Sequence, residues 1–106
     1  MPIGSERIGE GLLLGYDNGT TGAEVVHKAT SGFVYAVNVT VSGSAYTAAA
    51  TLSIRDGTGN VVWQLDIPAN AAVDSMAFSV NLAALFVTDI RTLITANAGA
   101  MTVAYQ

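Results

Sequence analysis

The chain has 106 residues, 51% of them apolar, with four basic and eight acidic side chains and a net charge of −4. This length sets one domain with enough apolar material for its own core. So few, scattered Lys and Arg argue against nucleic acid and anionic membrane surfaces as partners, and the absence of Cys removes disulfides, thiolate metal sites and thiol nucleophiles together.

Residues 1–10 contain Pro2, Gly4, Ser5 and Gly9 with mixed charge, and read as an irregular arm. The arm is taken as residues 1–14, with the sandwich domain at 15–106. Ile3, Ile8, Leu12, Leu13 and Leu14 are its apolar positions and the candidate contacts to a neighbouring chain. The start lacks the basic segment and long apolar run of a signal peptide, and no stretch of about 18 apolar residues follows for a membrane helix.

Asp17-Asn18-Gly19 signals a tight turn, because Asn-Gly supplies positive φ. Glu24–Thr30 reads as a strand, broken by Ser31-Gly32. From Phe33 the odd positions are Phe33, Tyr35, Val37, Val39 and Val41, and the even ones Val34, Ala36, Asn38, Thr40 and Ser42. A period of two places the odd row in a core and the more polar row on an outer face. This strand lies within Ala29–Ile54, a stretch without one charged residue. An outer face so short of charge fits a protein–protein contact, because neutral Ser, Thr and Ala desolvate at lower cost than ions.

Thr47–Arg55 and Val61–Ile67 form a hairpin around Asp56-Gly57-Thr58-Gly59-Asn60, with Ala48, Ala50, Leu52 and Ile54 inward on the first strand and Val61, Trp63, Leu65 and Ile67 sharing a face on the second. Pro68 closes it, having no N–H for a ladder. Ala69–Asp74 is a linker. Met76, Phe78, Val80 and Leu82 alternate with smaller residues; Ala83–Val87 reads as a helical turn or more strand. Ile90–Ala96 and Met101–Tyr105 complete the chain around an Asn97-Ala98-Gly99 turn. Seven to eight short strands spaced by turn residues predict an all-β antiparallel sandwich, jelly-roll-like or Ig-like.

No constellation predicts catalysis. His27 is the single histidine, and no Gly-x-Ser-x-Gly or other nucleophile motif accompanies it, so a solvent-facing or interface position accounts for it better. Asp56, Asp66, Asp74 and Asp89 are dispersed; turn formation explains Asp56 and Asp74 better than glycoside cleavage. The Asp56–Asn60 loop lacks the alternating acids and distal Glu of a calcium loop, and Gly57-x-Gly59 lacks the helix and Lys of a phosphate loop. The expectation is a protein that is not an enzyme, with no cofactor and no metal. Trp63 keeps register with Val61, Leu65 and Ile67 and reads as core; Tyr46, beside Gly43 and Ser44, reads as an exposed aromatic and a further candidate contact.

Residues 25–106 resemble the small β-sandwich structural proteins of tailed-phage virions, including capsid decoration (cement) proteins and fibre-type modules. The similar steps are the Pro-closed strand at Ile67-Pro68-Ala69, the Leu85-Phe86-Val87 step and the closing Thr102–Tyr105 strand. The chain departs from that pattern at Ala83-Ala84, where a Gly is expected before the Leu, and at Asp89-Ile90-Arg91, where a Gly-containing turn is expected. The resemblance implies a virion location, a homo-oligomer with a trimer favoured, and the major capsid protein or other virion proteins as partners. It supplies no functional residue. The alternative from a different class is a carbohydrate- or receptor-binding module of a phage fibre or tail, which requires exposed aromatics on one sheet or in a cleft.

Overall fold

The computed structural model describes residues 12–20 and 22–106, which form ten strands: β1 Leu13–Asp17, β2 Val25–Lys28, β3 Gly32–Val41, β4 Ser44–Ala45, β5 Ala50–Arg55, β6 Val61–Ile67, β7 Ala72–Val73, β8 Met76–Phe86, β9 Ile90–Ile94 and β10 Gly99–Tyr105. The first sheet has the order β1-β10-β3-β8, the second β2-β9-β5-β6, and β4 pairs with β7 in a small ribbon. Every pairing is antiparallel. With the ribbon set aside, the first strand pairs with the last, the second with the seventh, the third with the sixth and the fourth with the fifth. That nesting is the jelly roll, which decides between the two sandwich forms expected.

The core lies between the sheets. Val37, Val39 and Val41 of β3, Met101 and Val103 of β10, Leu52 and Ile54 of β5, and Ile90 and Ile94 of β9 are all essentially solvent-free. Alternation in β5 and β10 made their inward rows legible. Gly19 has φ 74°, as the Asn-Gly signal requires, and the Asp17 carboxylate accepts its N–H at 2.9 Å.

The expected odd-numbered row of β3 does not run the whole strand. Val34 is opposite Ala84 while Ala36 is opposite Asn81, so Tyr35 on β3 stands against both Leu82 and Ala83 on β8. Against β10, Tyr35 is itself the extra residue. A bulge shifts every side chain beyond it to the other face. Val34 is therefore buried, and Phe33 and Tyr35 turn outward, packed edge to face with centroids 4.8 Å apart. Ala83 takes φ 45° at the bulge. This is the place where a Gly was expected, and the backbone there is glycine-like.

Two further expectations are corrected. Leu13 and Leu14 belong to β1 rather than to an arm, because their backbone pairs with Tyr105 and Ala104. Tyr46 is buried, only 5% exposed: the ribbon folds back across the end of the sandwich, and the Tyr46 hydroxyl donates to the Ser42 carbonyl at 2.7 Å. Of the two readings left open for Ala83–Val87, strand holds for Ala83–Phe86, which continue β8.

Candidate assembly surface

The two outer faces of the sandwich differ in charge. On the first sheet, strand register places Tyr16, Thr102, Asn38 and Ser79 in one row, Leu14, Ala104, Ala36 and Asn81 in the next, and Ala100, Thr40 and Ala77 in a third. β3, β8 and β10 contain no Asp, Glu, Lys or Arg, and the acid of β1, Asp17, is buried between the sheets. Among the described residues the whole outer face of this sheet is thus free of charge. It also holds apolar side chains in water: Leu14 is 71% exposed, Tyr16 63% and Leu85 67%.

The second sheet carries ions. Glu24 accepts from Arg91 at 3.1 Å and from Arg55 at 3.4 Å, and Arg91 also pairs with Asp89 at 2.8 Å. Asp66, on β6, accepts from the Gln64 amide at 2.8 Å. Two outer faces built by one chain therefore present opposite surfaces, one solvated by ions and one neutral with protruding Leu and Tyr.

The acids that the sequence scattered are partly brought together. Asp56 accepts the backbone N–H groups of Val87 and Thr88 at 2.8 Å and of Asp89 at 3.3 Å. Asp89 accepts the N–H of Gly57 at 2.8 Å and the Arg91 guanidinium. Burial pushes the Asp56 carboxyl up, but its three N–H donors outweigh that and hold it below the usual carboxylate range. Asp89 is held down chiefly by Arg91, against the upward push of burial, with help from the Gly57 N–H. Both stay ionised with their lone pairs engaged, which suits a structural clamp rather than a proton donor. Asp66 and Asp74 lie elsewhere, and among the described residues no three side chains of metal-ligating type come together.

His27 does not face solvent. Its ring points between the sheets, where Nε2 lies 2.8 Å from the Thr92 hydroxyl, which lies 2.8 Å from the Asp17 carboxylate. Thr92 has one hydroxyl proton; donating it to Asp17, it accepts from His27 Nε2–H. Burial pushes the His27 pKa below its ordinary value, and the Asp17 charge only partly offsets this. A Cβ on Gly15 would sit 2.3 Å from His27 Nδ1, so only glycine fits beside the ring. The hydroxyl of Thr92 is fully buried, and this trio ties β1 of one sheet to β9 and β2 of the other.

Of the candidate contacts read from sequence, Leu12, Leu13 and Leu14 are exposed, at one end of the first sheet. Tyr46 is in the core, and Ile8 falls outside the described residues. Trp63 is half-buried, edge to face against Phe78 at 6.0 Å, where the two sheets part. The sequence reading missed Tyr16 and Leu85; the register of β1 with β10 and the bulge on β8 decide their exposure, and both depend on partners distant in sequence.

No protein-family model matches the chain, and no curated protein matches it. A solved structure described as "Bacillus endospore appendages form a novel family of disulfide-linked pili" is 17% identical, with 90% of this chain and 88% of that chain covered, at a TM-score of 0.38. Overlap at that level is too low to define a shared fold.

Proposed function

We infer that this protein is a non-enzymatic structural subunit that assembles with copies of itself through the outer face of its first sheet. The observation that carries this reading is the four-stranded face without a charged side chain, studded with Leu14, Tyr16 and Leu85. Covering such a face removes apolar area from water at roughly 25 cal/mol per Å², with no ion to desolvate. The assembly to which the sequence resemblance points is the virion of a tailed phage, with the protein as a capsid decoration subunit beside the major capsid protein. Light scattering on the purified chain tests the first part: the reading requires a defined homo-oligomer at micromolar concentration, and a strict monomer contradicts it. Binding to expanded phage capsids tests the second, with no association as the contrary result.

One observation favours the carbohydrate-binding alternative. Tyr16 and Tyr35 are exposed on the same sheet as Asn38, Thr40, Asn81 and Thr102, which pairs aromatic faces with hydrogen-bonding groups. Glycan binding by the isolated chain, lost in Tyr16→Ala, would favour that reading over assembly.

A further inference from the structure

On the side of the jelly roll where β1 lies, the link between the sheets is polar. Among the described residues β1 is the edge of the first sheet, and its ladder runs to β10 alone. Its large side chains, Leu13, Leu14 and Tyr16, are exposed, and only Gly15 and Asp17 are buried. The strand thus contributes no large apolar side chain to the core. What ties it to the second sheet is the series of Asp17 carboxylate, Thr92 hydroxyl and His27 ring, each step 2.8 Å.

That series suits a neutral ring. Nε2–H donates to Thr92, and Thr92 donates to Asp17, whose other oxygen accepts the Gly19 N–H. Nδ1 faces the Gly15 Cα, and among the described residues it has no hydrogen-bond partner. A proton added there points at carbon and puts a charge between the sheets. Asp17 from β1, Thr92 from β9 and Tyr105 from β10 face the ring. Asp17 carries the charge among them, and the Thr92 hydroxyl stands between it and the ring. Lys28 reaches instead to the Gln106 carbonyl at 3.3 Å, and Glu24 pairs with Arg55 and Arg91 on the outer face of the second sheet. Burial outweighs the attraction of Asp17 for a charged ring, in agreement with this geometry.

We propose that β1 is a pH-released strand: when His27 takes up a proton, β1 lifts from the ring and from β10 while the other strands keep the sandwich. Opening gives the charged ring to water and exposes little apolar surface, the condition for a local rather than a global opening. The closed form holds the proton less well than the open one, so opening is level above about pH 6.5 and rises below it, by at most about tenfold per pH unit for one proton. Released, β1 carries Leu14 and Tyr16 off the uncharged outer face, so acid dissociates the assembly; this consequence rests on the self-assembly reading above.

Hydrogen exchange of the tag-free chain at pH 7.5 and 5.5, read as protection relative to the unfolded rate at each pH, tests the release. The β1 amides bonded to β10 are expected to be less protected than those of β5 at both values. At pH 5.5 they should lose up to about tenfold more, and His27→Gln should remove that loss. The Tyr46 and Asn70 N–H groups, which bond to the Ala71 and Tyr46 carbonyls, should keep their protection and serve as the control. Protection of β1 that ignores pH, or that equals that of β5 so that the strand opens only with the whole sandwich, overturns the proposal. Should His27→Gln not fold, the ring resonance of this single histidine decides: an inflection at or above pH 6.5 overturns it. Light scattering at the same two values tests the consequence. An assembly that dissociates at pH 5.5, but not in His27→Gln, supports the coupling, and one that persists with β1 released overturns it. A monomer at both values with β1 released leaves the release standing and overturns the assembly reading.

Discussion

Asp56 and Asp89 each hold the other's loop. The Asp56 carboxylate, at the end of β5, accepts from the N–H groups of Val87, Thr88 and Asp89, while the Asp89 carboxylate accepts the N–H of Gly57. Residues 33 apart in sequence thereby fasten the β5–β6 hairpin to the turn between β8 and β9. The bonds at the Asp89 and Gly57 N–H groups are buried and those at Val87 and Thr88 partly so; an unpaired buried N–H costs about 1–3 kcal/mol, so this exchange fixes the geometry of the sandwich end.

Asp56→Ala leaves those N–H groups without their acceptor and is expected to cost on the order of 2 kcal/mol or more, read as a lower urea midpoint. Because the Asp56 and Asp89 carboxyls lie below their ordinary range in the folded protein, their stabilisation is fully present above about pH 4 and is lost as pH falls through the folded values. An acid titration of Asp56→Ala should therefore be shallower than that of the natural chain; parallel curves would contradict the clamp.

His27 acts in the same direction but nearer neutral pH. Its folded pKa lies below the unfolded value of about 6.5, so the unfolded chain binds the extra proton first. Stability should be level above pH 6.5 and decline as pH drops below it. His27→Gln should abolish that slope while retaining a donor for Thr92. Gly15→Ala, which drives a methyl into the ring, should destabilise at every pH. Thermal melts between pH 5 and 8 check all three.

Ala83 adopts φ 45°, a conformation that costs a residue with a Cβ about 1 kcal/mol relative to glycine. Ala83→Gly is expected to raise stability by up to that amount, less the extra entropy glycine gains when unfolded. Ala83→Val should lower it by more. A destabilised glycine variant would show that the bulge is not strained.

Much of this architecture was legible in the sequence. Alternation in β5, β6 and β10 gave their inward faces, because period two follows directly from strand geometry. What was not legible has physical reasons. One extra residue at Tyr35 reverses a face without disturbing composition, so Val34 and Phe33 exchanged places. Tyr46 follows a Gly and Ser stretch typical of loops, but the ribbon of β4 and β7 folds it onto the core. The neutral outer face was expected from β3 alone; that β10 and β8 extend it across a whole sheet depends on pairings that join residues far apart in the chain.

The self-assembly proposed above requires this uncharged face to lie between copies. Asn38 and Thr40 sit at its centre, exposed, on β3. Placing Lys at both buries two unpaired charges if the face is covered and costs little if it is bare. Light scattering of the natural chain and of the Asn38→Lys/Thr40→Lys variant is the most direct test. Self-assembly through this face predicts a multiple of the 10.9 kDa subunit mass for the first and the single subunit, still folded, for the second. A natural chain that is monomeric, or a variant that assembles as before, would contradict it.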